Sequence, residues 1–136
     1  MRVLGMLAFV VALAASSAPV AAHHSAVQFD FTKSVAIKGV VLKFQAINPH
    51  MRIVLRVTDA KGAREIEFEG HSTNNMFRAG YRDKMIQVGD EITVFVAPLR
   101  DGSEGGYVTA ALTPKGRFGP QSQAEAARER ERAESR

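Results

Sequence analysis

The sequence predicts a small all-β domain, a five-stranded antiparallel OB-like barrel with one short helix between strands 3 and 4. Three observations predict it. Between Ser25 and Phe118 apolar and polar residues mostly alternate with a period of two, turns containing glycine divide the alternating stretches, and the period lengthens once, in HSTNNMFRAG, where a helix fits. Three strands, a short helix and two strands is the element order of an OB barrel.

The first strand starts at Val35 in VAIKGVVLKFQAINP. Val35 and Ile37 alternate with Ala36 and Lys38, and after Gly39 the residues Val41 and Lys43 alternate against Val40, Leu42 and Phe44, which is the pattern of a half-buried strand bent at a glycine. MRIVLRVTD then puts Ile53, Leu55 and Val57 on one face, with Arg52, Val54, Arg56 and Thr58 on the other. Asp59-Ala60-Lys61-Gly62 reads as a hairpin turn in which Gly62 can take a positive φ, and AREIEFEG returns with Ile66 and Phe68 inward. These three strands form a meander. Ser72 and Thr73 as cap-type residues, Met76 and Phe77 as the apolar pair and Gly80 as the stop predict a helix over 73–79. A Val88-Gly89-Asp90 turn leads to a fourth strand with Ile92, Val94 and Val96 on one face, and GGYVTAALTP carries the fifth.

The two ends read differently. Residues 1–22 have Arg2, an apolar run from Val3 to about Ala15 and small residues closing on Val20-Ala21-Ala22, the three parts of a cleaved signal peptide. That run is too short to cross ~30 Å of hydrocarbon, and no second one follows, so no membrane span is expected once the signal is removed. The β domain then occupies 23–118, and residues 119–136 form a charged tail, disordered or marginally helical, whose final QSQAEAARERERAESR has four Arg, four Glu and nothing large and apolar. Without Arg2 the 18 basic side chains fall to 17 against 14 acidic ones, a net charge of +3 that marks no nucleic-acid surface. The signal peptide and the absence of cysteine together fit a bacterial periplasm, and without disulfides stability has to come from the sheet.

The segments AHHS, FDFTKSVAIKGVV, NPHMRIVLRV and RAGYRDKMIQVGDEITVFVAPLRDGS resemble a family of small exported bacterial proteins, domain of unknown function family 6152. The resemblance runs from about His23 to Arg117 and rests on His23-His24-Ser25, Phe29-Asp30, Asn48-Pro49-His50, Gly80-Tyr81 and Gly89-Asp90, with Tyr81 where the family pattern has Trp. It implies a fold and an export route. It implies no activity.

The chemistry therefore rests on the residues themselves. Four histidines, at 23, 24, 50 and 71, with no thiolate to compete, point to nitrogen ligation of a borderline metal. Cleavage after Ala22 makes His23 the first residue, whose α-amine and imidazole close a chelate on one ion, and a third nitrogen from a neighbouring strand completes a T-shaped or square-planar set of the kind copper(II) prefers. His50 is the expected third ligand, because proline stiffens the Asn48-Pro49-His50 corner. His24 and His71 are the optional further ligands.

Nothing points to catalysis. The chain has no Gly-x-Ser-x-Gly elbow, no cysteine nucleophile, no His-Glu-x-x-His and no phosphate loop; Glu65, Glu67 and Glu69 read as a solvated strand face, and Asp59, Asp90 and Asp101 as turn residues. No enzyme is expected. The alternative expectation is a periplasmic module that binds an envelope protein or component without metal, through a basic face of Arg52, Arg56 and Arg64. Nucleic acid is not an expected partner, since ten aromatics, most of them committed to the core or the signal, leave no stacking platform.

Overall fold

A computed structural model describes residues 26–120 together with residues 131 and 135. The expected signal peptide, His23 and His24, and most of the charged tail lie outside the described residues. After a 3-10 turn at Ala26–Gln28 come β1 (Val35–Gln45), β2 (Arg52–Asp59), β3 (Gly62–Gly70), α1 (Thr73–Arg78), β4 (Glu91–Ala97), β5 (Tyr107–Thr113) and β6 (Gly116–Phe118).

The sheet order is β3-β2-β1-β4-β5-β6, and β3 pairs a second time, in parallel, with β5 at Glu69↔Tyr107 and Gly70↔Val108. The first five strands thus close into a barrel-like ring with the element order read from the sequence. The sixth strand was not expected, because Gly116-Arg117-Phe118 is too short to show a period.

Each element has a local cause. β1 serves two neighbours, pairing with β4 over Val35–Val40 and with β2 from Val40 onward. The handover happens at Gly39, where a Cβ would stand 2.8 Å from the Arg56 carbonyl oxygen, so the close approach needs glycine. The register then slips between Val41 and Lys43, which resets the alternation and leaves Val41 as the strand's buried side chain, with Ile37 and Phe44 packed partly against the core.

The β2–β3 hairpin is regular from Arg52↔Glu69 to Asp59↔Gly62, with Gly62 at φ 98° in the turn. Ile53 and Leu55 are wholly buried, as are Val94 and Val96 on β4 across the ring. Truncating such a leucine to alanine costs about 2–5 kcal/mol.

Helix α1 is capped by Ser72, whose side chain accepts from the Asn75 N–H, and it inserts Met76 into the core. On β4 the expectation of one buried face is corrected. Phe95 and Ala97 are buried as well, and the Arg117 guanidinium of β6 stands 4.9 Å over the Phe95 ring. Gly119 remains tied to the domain through its N–H to the Ala79 carbonyl at 2.8 Å.

Candidate functional site

The hairpin that forms most regularly also delivers the candidate site. Counting back from the Asp59↔Gly62 turn brings His50 and His71 to the same end of β2 and β3. The ladder becomes irregular there. Met51 donates its N–H to the His71 carbonyl and accepts from the Gly70 N–H, both at 3.0 Å. The Gly70 carbonyl is spared the bond from Met51 and lies 2.9 Å from His50 Nδ1. A carbonyl can only accept, so Nδ1 carries the hydrogen and His50 Nε2 holds the free lone pair.

β5 brings the third ring. Its first residue, Tyr107, is placed beside Glu69 by the parallel pairing. The Tyr107 ring meets His71 at 5.1 Å and His50 at 6.1 Å between centroids, both edge to face, and its hydroxyl lies 3.1 Å from His71 Nδ1. Phe29 and Phe31 pack on the same tyrosine at 5.5 and 5.3 Å. The segment carrying them is held by Asp30 N–H to the Pro98 carbonyl and Arg100 N–H to the Gln28 carbonyl, each 2.8 Å, around the Phe29↔Leu99 bridge.

Burial and charge act on these groups together. Burial pulls the His71 pKa below the ordinary histidine value, and a charge on His50 would lower it further. Burial raises the Tyr107 pKa, and the neighbouring Glu69 carboxylate adds to the rise. Glu69 is thus not part of a solvated face, as the alternation suggested. Its Oε1 is buried and has no hydrogen-bond partner among the described residues, whereas Glu67 on the same face pairs with Arg52 at 2.6 Å.

Of the four histidines expected to bind metal, two are described and both are here. His50 is half-buried, not fully exposed on its corner, and His71, the weaker candidate from sequence, stands on the same tyrosine. Among the described residues no three His, Cys, Asp or Glu side chains gather as a metal-holding group. His23 and His24 lie outside that set.

Tyr107 and Glu69 were missed. The parallel β3–β5 contact that places them has no signature in either strand alone.

The expected basic face is largely neutralised by its own acids. Arg52 pairs with Glu67, and Arg64 reaches Asp59 at 2.8 Å and Glu104 at 2.6 Å, which leaves Arg56. Asp59, Asp90 and Asp101 each accept a nearby backbone N–H at 2.9 Å, the turn role read for them. A cleft of about 500 Å³ lies away from the histidines, between the start of β1 and the end of β2, over Ile37, Val57, Ile66 and Val96. Its charged rim is already paired, Lys38 with Glu91 and Arg64 with Asp59 and Glu104.

Among the described residues no helix is long and apolar enough to cross a membrane. No curated protein matches the chain. Among solved structures it is similar to a ZRD-deleted mutant of TiaS in complex with agmatine, at a TM-score of 0.43 and 15% identity over 67% of this chain and 23% of that one. The chain therefore spans about a quarter of that structure's length, and the likeness carries no argument about function. A model of a family of unknown function, DUF6152, matches residues 10–109, and with most of its length inside that match the chain belongs to this family.

Proposed function

We propose that this is an exported copper(II)-binding β domain of the periplasm, with His50 and His71 as its ring ligands, His23 and His24 as further nitrogen donors, and no catalytic step of its own. The observation that carries the reading is the convergence of His50 and His71 on the Tyr107 ring. Imidazole donors without thiolate suit copper(II), and His50 has its second nitrogen anchored on a backbone carbonyl in the manner of metal-bound histidines.

The remaining donors come from the preceding chain. Phe29 is fixed on Tyr107, and His24 is five residues upstream, a reach of at most ~17 Å when extended. If signal cleavage follows Ala22, the His23 α-amine adds a chelate ring to its imidazole. His71, an optional further ligand on the sequence reading, replaces His23 as the first partner of His50.

Isothermal titration of copper(II) into processed protein, with its N-terminus verified by intact mass, tests it. One ion per chain is expected, with affinity reduced at least about tenfold by His50→Ala or His71→Ala while circular dichroism stays unchanged. Binding no tighter than that of a free peptide beginning His-His-Ser, or indifferent to both substitutions, ends the metal reading. A mass that retains residues 1–22 ends the export reading.

A further inference from the structure

We infer that Glu69, acting through the Tyr107 hydroxyl, holds His71 in the Nδ1–H tautomer and so leaves Nε2 as the free lone pair of that ring; the use of that lone pair rests on the copper reading above, but its assignment does not. The 3.1 Å bond between Tyr107 and His71 Nδ1 can run in either direction. If the hydroxyl donates, Nδ1 is the acceptor and the hydrogen sits on Nε2, where it blocks ligation. If Nδ1–H donates, the hydroxyl accepts and its own hydrogen points elsewhere.

Glu69 decides between the two. In the parallel register Glu69 stands opposite Tyr107, so the two side chains leave the sheet on the same face. Glu69 Oε1 is buried without a donor among the described residues, the Tyr107 hydroxyl included, and the carboxylate acts on the neighbouring phenol through its field, which favours an O–H dipole turned toward it. Turning the hydroxyl hydrogen toward Glu69 presents the phenol lone pairs to His71, which must then donate from Nδ1. The opposite orientation would set phenol lone pairs toward the Glu69 carboxylate.

His50 reaches the same tautomer through the Gly70 carbonyl. Two neighbouring rings thus both keep Nε2 unprotonated, by two different devices, and that shared state is what a pair of ligands needs. Tyr107 and Glu69 are positioning residues. Neither has to touch the ion.

The test is a long-range ¹H–¹⁵N spectrum of the histidine rings in labelled, metal-free protein at a pH where they are neutral. His71 is expected as the Nδ1–H tautomer. Glu69→Leu should move it to Nε2–H, Glu69→Gln, which keeps an acceptor, should move it partway, and in a Tyr107→Phe background Glu69→Leu should have no effect. Copper(II) affinity should fall about tenfold or more in Glu69→Leu and in Tyr107→Phe, with the circular dichroism melt confirming that each variant folds. A native Nε2–H tautomer overturns the inference, and so does a tautomer that ignores Glu69→Leu or responds to it without the hydroxyl. If the tautomers behave as expected and copper binds no better than to a free peptide, the copper reading falls and the assignment of Glu69 stands.

Discussion

The chain has two tyrosines, and each is the hub of a ring cluster. Tyr81 touches Phe44, Phe77 and Phe118 at 5.4–5.8 Å and is only 3% exposed. Tyr107 touches Phe29 and Phe31 but also His50 and His71, and it is half-buried. The same packing device closes a hydrocarbon core in one place and steadies two imidazoles near the surface in the other. Its neighbours, not the tyrosine, decide which.

Substituting each tyrosine for the part it plays, the ring at Tyr81 and the hydroxyl at Tyr107, should separate the two clusters most. Tyr81→Ala takes a large aromatic out of the core and should cost about 3–5 kcal/mol in urea unfolding, while Tyr107→Phe keeps its ring and loses one hydrogen bond, about 0.5–1.5 kcal/mol. Equal losses would break the comparison.

Acid sharpens it further. Because folding lowers the His71 pKa, the unfolded chain takes up that proton more readily than the folded one, so metal-free stability should fall as pH drops below about 6.5 toward the lower folded value. His71→Gln should flatten that slope, and a slope unaltered by the substitution would mean that another group causes it. In alkali the clusters should behave alike, since burial raises both tyrosines and their contribution is lost above about pH 10. The smallest effect belongs to neither cluster. Arg52→Ala removes an exposed ion pair with Glu67 and should change stability by less than about 1 kcal/mol, with copper titration unmoved; a larger change would extend the site along β2.

Much of the fold was legible because its strands differ in how their faces are used. β2 shows clean alternation, one face on the core and one in water, and Ile53, Leu55 and Val57 are all buried as read. β4 showed only half of its burial, since Phe95 is covered by an arginine that arrives 22 residues later.

The site was legible in its histidines and not in their arrangement. The regular hairpin register, counted back from Gly62, would have brought His50 and His71 to one end; Tyr107 and Glu69 depend on a parallel contact made after the whole chain has turned. Glu69 looked like Glu65 and Glu67 because alternation reports which face a residue is on and not what later covers it.

Among the described residues the ring closes through two residue pairs between β3 and β5, and from Gly62 to Phe68 no described strand lies beside the outer edge of β3. Such an edge is a template on which a second molecule can add a strand and begin aggregation. Here charge guards it. Acidic side chains stand at Glu65 and Glu67, and Arg64 is drawn across the opening to Glu104 in the loop before β5. A copy pairing antiparallel with Glu65 opposite Glu67 would set like charges against one another. The Arg64 hydrogen bond holds the Glu104 carboxyl below its ordinary range, so this strap stays charged in acid that would already discharge a free glutamate.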